Sequence, residues 1–359
     1  MSKILHGLVK ASGNEYASVL DDGIESDVNG FIDTGSYTFN ALLSGSLYGG
    51  LPDNKILALA GESATGKTFF ALGMVSKFLE THKDGVVIYF DSEQAVTSNM
   101  FEERGVDAER IAVFPIDTVE NFRTQVVKLV DNYRELSPSD KKPMMIVLDS
   151  LGMLSTEKEM ADTAEGKNVR DMTRAQVIKA TFRTLTLKLG QAGIPLIMTN
   201  HTYDVVGSYV PMKEMGGGSG LKYAASTIVY LSKKKVRDGT DIVGNIIKCK
   251  LYKSRLTKEN SMVEVILNYD SGLNPYYGLV DLGIECGVLK KVSNRVEFPD
   301  GRKAYEKSVY NDPEKYFTDE VMWSIEQGVG KIFKYGSSAL ENTVEDEHRT
   351  TNPIESDQQ

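Results

Sequence analysis

Three scarcities set the first limits on this chain of 359 residues. It has two cysteines, Cys249 and Cys286, and no CxxC pair, which argues against a disulfide framework or a zinc site. No apolar run approaches the ~20 residues that a membrane-spanning helix needs. The N-terminal stretch MSKILHGLVKASGNEY has no long apolar segment, so it does not resemble a signal peptide. We therefore expect a cytoplasmic protein with no membrane partner.

A net positive charge is also missing. The chain carries 41 Lys and Arg against 50 Asp and Glu, a formal net charge of −9, which excludes a surface that is basic all over. The charge is unevenly distributed, however. Residues 233–258 contain nine Lys and Arg against two Asp, whereas residues 336–359 contain six Asp and Glu against one Arg. A local basic segment keeps nucleic-acid binding open.

Short apolar runs alternate with helical segments from about residue 36 onward. The runs are continuously apolar, which favours strands of a parallel sheet that is covered on both faces. Helices are expected near residues 118–135 and 171–191. This alternation predicts an α/β fold with a mainly parallel central sheet. The predicted buried strands are Lys55–Ala60, Val86–Asp91, Ile111–Pro115, Met144–Asp149 and Ile194–Asn200.

The segments around this core have a different character. The N-terminal segment has a few apolar residues at helical spacing and is interpreted as an arm that docks on a neighbour. After residue 225, three consecutive strands predict antiparallel additions at one edge of the sheet. The C-terminal residues are polar and acidic, which predicts disorder. The predicted division is an assembly arm (1–35), an ATPase-like core (36–274), a small α+β domain (275–335) and an acidic tail (336–359).

The stretch GESATGKT matches the phosphate-binding pattern G-x-x-x-x-G-K-[ST] in full, and it lies between a predicted strand and a predicted helix. Its glycines let backbone N–H groups turn toward phosphate oxygens, and the helix N-terminus adds positive potential. Lys67 would reach the β- and γ-phosphates, and Thr68 would offer its hydroxyl to Mg²⁺. The predicted triphosphate site comprises Gly61, Glu62, Ser63, Ala64, Thr65, Gly66, Lys67 and Thr68.

Polar residues stand where the later strands end. Asp149, at the end of MIVLDS, is expected to hold Mg²⁺ directly or through water. Glu93, in YFDSE, can orient and polarise an attacking water, with Asp91 as the competing carboxylate. His201, in TNHT, can donate a hydrogen bond to the γ-phosphate. Because the carboxyl ends of parallel strands share one edge of a sheet, these side chains should meet beside the glycine loop.

In this order, GESATGKT, FDSE, VLDS and TNH resemble the motifs of the RecA-type recombinases. MGGGSGLKYAAS is similar to the family's second DNA loop and the helix after it, and Lys253–Leu289 is similar to the end of the core. DSLGMLSTEKE, DMTRA, NHTY, MGGGSG and KSR look most like the phage UvsX-type members. The resemblance covers roughly residues 30–290. It implies a RecA-like P-loop core, ATP and Mg²⁺ as cofactors, and the cytoplasm of the host cell as location.

The resemblance also implies roles at the nucleotide. Glu93 matches the glutamate that activates water, and Ser150 follows the Mg²⁺-binding aspartate as in the family. His201 takes the position of a γ-phosphate sensor, often a glutamine elsewhere. The family often stacks the adenine on a tyrosine after the DSE segment. Here the residues at that place are Met100 and Phe101, so base selectivity could be looser.

A second implied set of residues acts between subunits. Lys253 and Arg255 match a pair that reaches the γ-phosphate of the neighbouring subunit. Cations supplied in this way stabilise the negative charge that develops during hydrolysis. Head-to-tail contacts that do not close form a helical filament, so the chain itself is an expected partner. The alternative for this pair is an exposed basic strand end.

Two long stretches, Gly152–Ala175 and Thr202–Gly220, are interpreted as flexible DNA-binding loops. Stretches of this length inside a compact domain are usually functional or disordered. Cations would contact the DNA phosphates, while aromatic rings and backbone N–H groups would contact bases and sugar. The candidate DNA-binding residues are Arg170, Arg174, Tyr203, Tyr209, Lys213, Gly216, Gly217 and Gly218.

The sequence therefore favours an ATP-dependent recombinase that forms filaments on single-stranded DNA and pairs it with homologous duplex. The implied partners include a recombination mediator or loader and a single-strand-binding protein. Two alternatives share the same core motifs. One is a hexameric helicase-type motor, which would close into a ring. The other is a non-hydrolysing mediator, which the presence of Glu93, Lys253 and Arg255 disfavours.

Overall fold

The chain is described here by a computed structural model. The residues that the structure describes are 2–24, 27–167, 172–204, 213–216, 218–238, 241–268 and 272–336. The predicted acidic tail after Gly336 therefore lies outside the described residues. Within the described ranges, no helix is long and apolar enough to cross a membrane.

Helices and strands alternate through the first two thirds of the chain. The helices are α1 (Ser2–Ser12), α2 (Tyr37–Ser44), α3 (Lys67–Thr81), α4 (Ser98–Glu102), α5 (Val119–Glu135), α6 (Glu157–Ala164), α7 (Arg174–Ala192), α8 (Gly218–Ala224), α9 (Leu279–Glu285), α10 (Glu306–Asn311), α11 (Pro313–Tyr316) and α12 (Asp319–Phe333). The strands are β1 (Phe31–Ile32), β2 (Leu51–Pro52), β3 (Ile56–Gly61), β4 (Val86–Asp91), β5 (Ile111–Pro115), β6 (Met144–Asp149), β7 (Leu196–Asp204), β8 (Lys213–Met215), β9 (Thr227–Asp238), β10 (Asp241–Ser254), β11 (Met262–Asn268), β12 (Gly272–Leu273), β13 (Lys290–Val292), β14 (Arg295–Glu297) and β15 (Lys303–Ala304).

A ten-stranded sheet organises the described chain. Its order is β12-β11-β10-β9-β3-β7-β6-β4-β5, and β8 pairs with the end of β7. The run from β9 to β5 is parallel, while β10, β11 and β12 are antiparallel. The register places Gly61 beside His201 and Asp91 beside Asp149. The carboxyl ends of β3, β4, β6 and β7 therefore form one edge, as the α/β prediction requires.

The core lies on both faces of this sheet. Successive residues of β3 point to opposite faces, so Leu57 and Leu59 pack with α2, α3 and the C-terminal helices. Ile56, Ala58 and Ala60 pack on the other face, with α5 and α7. Burial of both faces explains why the strands are continuously apolar in sequence. The predicted α/β class with a mainly parallel central sheet is confirmed.

Two details of the strand predictions are wrong. Ile111–Pro115 was expected to be buried, but β5 lies at the edge of the described sheet and Val113 is 46% exposed. The apolar residues of this segment predicted a strand but did not indicate whether that strand is central or at an edge of the sheet. Residues 226–235 were expected to be an antiparallel addition, but β9 is antiparallel only to β10 and pairs in parallel with β3. The short helix α8 precedes β9 and provides the crossover that parallel pairing needs.

The C-terminal residues pack directly against the main sheet. Their apolar side chains belong to the same buried cluster as α2 and α3. The backbone N–H of Leu47 donates to Glu326 at 2.6 Å, and that of Lys258 donates to the carbonyl of Phe333 at 2.7 Å. The small sheet β13-β14-β15 and α12 supply the α+β character that was expected of this segment.

Candidate functional site

The glycine loop joins β3 to α3 in a shape that its glycines require. Gly66 caps α3 with φ of 89°, in the left-handed region that glycine adopts most readily. A Cβ atom on Gly61 would lie 2.6 Å from Oγ1 of Thr65 and 2.7 Å from the carbonyl oxygen of Leu231. Neither contact is possible without movement. The N-terminus of a fifteen-residue helix therefore faces the loop, in the arrangement that favours an anion.

Lys67 lies inside this loop. Its side chain is buried, and Nζ donates to the carbonyl oxygens of Gly61 at 3.1 Å and Glu62 at 2.9 Å. Burial lowers the pKa of Lys67, and the negative charges of Asp149 and Glu93 oppose that shift. The amine is thus held by acceptors that a phosphate oxygen could replace. These contacts fit a loop that binds a triphosphate.

Asp149 accepts hydroxyl groups from three different elements. Its Oδ2 accepts from Thr68 at 2.7 Å and from Tyr89 at 2.9 Å, and its Oδ1 accepts from Thr199. Burial, followed by the charge of Asp149, raises the pKa of Tyr89 well above its ordinary value, so this hydroxyl remains a donor. The register brings Tyr89 and Thr199 to Asp149 from the strands on either side.

Thr68 and Asp149 are the residue types and the spacing that fit Mg²⁺ beside a triphosphate. Mg²⁺ usually takes one or two carboxylates and completes its shell with phosphate and water oxygens. No group of three or more His, Cys, Asp or Glu residues within the described part of the chain could form a protein-only metal cage. A metal held by Thr68 and Asp149 would therefore depend on the nucleotide.

Glu93 is the carboxylate that faces the glycine loop. Its Oε1 accepts from Oγ of Ser150 at 2.6 Å and lies 3.2 Å from Nε2 of His201. Burial raises the pKa of Glu93, but the bonds from Ser150 and His201 and the charge of Lys67 outweigh it, so the pKa is below its ordinary value. Glu93 is therefore ionised at neutral pH, as a group that polarises water must be.

Asp91 has a different task from Glu93. Its carboxylate accepts the backbone N–H groups of Glu93 at 3.0 Å, Ala95 at 3.4 Å and Val96 at 3.3 Å. These bonds fix the turn after β4, and the side chain is buried. The geometry favours Glu93 over Asp91 as the residue that meets water at the nucleotide.

His201 lies where the nucleotide site meets both long stretches. Its carbonyl accepts the N–H of Gly216 at 3.1 Å, and the amide of neighbouring Asn200 donates to the carbonyl of Gly216 at 2.8 Å. From the other stretch, a Cβ on Gly152 would lie 3.1 Å from the His201 ring. A movement of the imidazole toward a phosphate would therefore change contacts with both long stretches.

A cavity of about 380 Å³ joins these groups. Of the two adenine candidates, Met100 lines it, whereas Phe101 does not. The Phe101 ring is 5% exposed and packs edge-on against Tyr89, with 5.7 Å between ring centroids. The sequence interpretation missed six further lining residues, three of which belong to the basic segment and one of which directly follows Thr68. They are Phe69, Ala95, Lys233, Lys235, Asn245 and Leu267.

The described parts of the two long stretches are more ordered than expected. The first contains α6, whose N-terminus has a capping box between Thr156 and Glu159. Arg174 begins α7 and donates to Glu159 at 3.4 Å and to the carbonyl of Gly152 at 3.1 Å. Ordered helix in Gly152–Ala175 contradicts the expectation that the whole stretch is flexible.

The second stretch is described only at its two ends. Tyr203 is 58% exposed, and Gly216 lies against its ring. Lys213 forms an ion pair with Glu62 of the glycine loop, which ties β8 to the phosphate site. Gly218 begins α8. The remaining DNA-binding candidates lie outside the described residues: Arg170, Tyr209 and Gly217.

Lys253 and Arg255 lie at the opposite end of the sheet from the glycine loop. Ser254 pairs with Thr227, which pairs in turn with Leu57 near the start of β3. The length of β3 separates that end from Gly61, about 17 Å at the usual rise per residue. The pair is therefore remote from the nucleotide cavity of its own chain.

The two cations of this pair have different surroundings. Nζ of Lys253 donates to the carbonyls of Lys222, Tyr223 and Ala225 at 2.6, 3.0 and 2.8 Å, so it caps the C-terminal end of α8. Arg255 follows β10 and is exposed. Lys253, in contrast, is half-buried and already has acceptors within its own chain.

Known proteins resemble this chain over most of its length. The model of the RecA N-terminal domain family matches residues 1–274. The "Recombination and repair protein" of Enterobacteria phage T4 is 33% identical over 294 residues, which cover 82% of this chain and 73% of that protein. "Protein RecA" of Paenarthrobacter aurescens (strain TC1) is 28% identical over 266 residues, covering 72% and 71%. "Protein RecA" of Mycobacterium sp. (strain KMS) is 27% identical over 288 residues, covering 79% and 77%.

Proposed function

This chain belongs to the RecA family of recombinases, and from that premise we propose that it is a DNA-dependent ATPase that drives strand exchange. It polymerises on single-stranded DNA, with ATP and Mg²⁺ bound, and pairs that strand with homologous duplex. Each ATP is hydrolysed at an interface between two subunits. A loader and a single-strand-binding protein are proposed as accessory partners.

One observation carries the proposal. A glycine loop, a hydroxyl–carboxylate pair suited to Mg²⁺ and an ionised glutamate share one cavity, while the cations that would complete the site lie at the far end of the sheet. Lys67 would neutralise the β- and γ-phosphates, and Thr68 and Asp149 would hold the metal, which supplies further charge neutralisation. Glu93 would orient water for attack and accept its proton. Arg255 of one subunit would approach the γ-phosphate of the next.

The DNA part of the proposal is supported by the contacts of His201. DNA held near Tyr203 and Gly216 would be sensed at the nucleotide through the hydrogen bonds that join Gly216 to Asn200 and His201. Coupling of this kind is reciprocal, so ATP would raise the affinity for DNA by the same factor as DNA raises that for ATP. Lys213 contributes a cation that can exchange Glu62 for a DNA phosphate.

The test is a three-strand exchange reaction between circular single-stranded DNA and homologous linear duplex. The wild type should form joint molecules and products only with ATP and Mg²⁺, and Lys67→Ala should form neither. ATP turnover should rise when single-stranded DNA is added. Electron microscopy of the same mixture should show open helical filaments. Closed rings, or turnover that ignores DNA, would overturn the proposal in favour of a motor of another kind.

A further inference from the structure

Phe69 lines both the nucleotide cavity and a second cavity of about 520 Å³, as does Leu267. Gly66, Phe69, Gly73 and Ser76 follow one another at helical spacings of three and four, so they lie on one face of α3. The first two line the nucleotide cavity, and Phe69 onward lines the second. The groove that starts at the phosphate loop therefore continues along α3, past the aromatic ring.

Arg104 holds this ring in place. Its guanidinium carbon lies 4.6 Å from the centroid of the Phe69 ring. Its NH1 group donates to the carbonyl of Met100 at 2.6 Å, and its own carbonyl accepts from Ser76 at 3.3 Å. The ring is half-buried and fixed by a cation on one side. A fixed, partly exposed aromatic ring provides a stacking surface at little entropic cost.

We propose that Phe69 is the residue that binds the nucleoside part of ATP, with Met100 as the opposing apolar contact. This inference rests on the proposal that the cavity holds ATP. Phe69 directly follows Thr68 and lines both cavities, so its side chain lies close to the phosphate loop and also reaches the second cavity. Phe101, the aromatic residue next to Met100 in the sequence, is 5% exposed, packs against Tyr89 and does not line the nucleotide cavity.

A stacked aromatic ring accepts any base, because every base has a π face. Purines present the larger face, so Phe69 would favour ATP and GTP over CTP and UTP. Arg104 lies at the far side of the same ring and would support the base end of the groove. The site would then favour purine over pyrimidine nucleotides because purines have the larger stacking area. The stacking residue would come from α3.

The test compares binding of ATP with binding of inorganic tripolyphosphate, both with Mg²⁺ and without DNA. Phe69→Ala should weaken ATP binding about tenfold, the usual range for loss of one base–aromatic contact, and should leave tripolyphosphate binding unchanged. The preference for ATP over CTP should fall in the same variant. Phe69→Tyr, which keeps the ring, should recover most of the lost affinity.

Two results would overturn the inference. They are an unchanged ATP affinity in Phe69→Ala, whether or not Met100→Ala loses affinity, and an equal loss for both ligands in Phe69→Ala. Circular dichroism and thermal unfolding without nucleotide establish that each variant is folded. Failure of strand exchange in the wild type would refute the proposed function, yet it would leave the ratio of ATP to tripolyphosphate binding to decide the role of Phe69.

Discussion

The two ends of the central sheet carry the two halves of the proposed site. At the carboxyl end of the parallel strands, Lys67, Asp149 and Glu93 converge on one cavity. Lys67 donates to backbone carbonyls of the glycine loop, and the two carboxylates accept from hydroxyl groups of other elements. At the opposite end, Arg255 stands exposed near the start of β3. Burial, followed by the charge of Arg255, lowers the pKa of Lys55 there, which places two cations close together.

This difference indicates what a single copy lacks. The carboxyl end has the groups proposed to bind a triphosphate and polarise water, but the cations proposed to stabilise the transition state lie about a strand length away. A head-to-tail contact would bring the opposite end of one copy to the carboxyl end of the next. The rate of ATP hydrolysis would then depend on the assembly of the subunits.

Mixing two inactive variants gives the largest expected effect. Glu93→Gln removes the carboxylate proposed to polarise water, and Arg255→Ala removes the cation at the other end, so each should lose about 100-fold or more in DNA-stimulated ATP turnover. In an equal mixture, about a quarter of the interfaces would join an intact Glu93 to an intact Arg255. Turnover should recover toward that fraction of the wild-type rate.

The control for this mixture is each variant alone at the same total concentration. Recovery that requires both variants would show that the two residues act in one site from different subunits. A mixture with only the average activity of its parents would show that Arg255 does not act in trans. Binding of a fluorescent ATP analogue by both variants confirms that the phosphate loop is intact.

Replacing His201 tests the coupling at the carboxyl end. A non-hydrolysable ATP analogue should tighten binding of single-stranded DNA to the wild type, and His201→Ala should lose about tenfold of that enhancement, within the usual range of coupling energies. Fluorescence anisotropy with and without the analogue measures it. An enhancement as large as that of the wild type would exclude His201 as the coupler.

At the opposite end, alanine substitutions of Lys253 and Arg255 should differ in their effect on the free energy of unfolding. Lys253→Ala leaves the carbonyls at the end of α8 without their cationic donor, which should cost about 1–3 kcal/mol in the free energy of unfolding. Arg255→Ala removes an exposed side chain and should cost little. Thermal unfolding compares the two. Equal melting temperatures would mean that the Lys253 contacts contribute nothing to stability.

Much of the fold could be predicted from the sequence because buried parallel strands are continuously apolar and the glycine loop has a fixed spacing. The packing order of the strands could not, since periodicity does not say which strand is at an edge, as β5 shows. At the site, the motifs pointed to Asp149 and Glu93. They gave no sign of Tyr89 or Thr199, which reach Asp149 only through strand register.

The smallest expected effect is a shift in the pH dependence of ATP turnover, caused by a change in the pKa of Glu93. The hydroxyl of Ser150 donates to its carboxylate and helps to hold the Glu93 pKa below its ordinary value, against the effect of burial. In the proposed mechanism Glu93 acts as a carboxylate, so turnover should be present above that pKa and be lost as pH falls through it. Ser150→Ala removes a donor that favours the charged form, so the pKa rises and the acid limb of kcat/KM moves to higher pH.

Thr199→Ala provides the matched control, because Thr199 donates to Asp149 and not to Glu93. Thr199→Ala should lower turnover, because Asp149 loses a hydrogen-bond donor. It should leave the acid limb of kcat/KM at the same pH. If both variants move the limb equally, the titrating group is not Glu93. If neither moves it, the Ser150 hydroxyl does not control the ionisation of Glu93. A shift confined to Ser150→Ala would identify Glu93 as the titrating group, a carboxylate that must be ionised to polarise the attacking water.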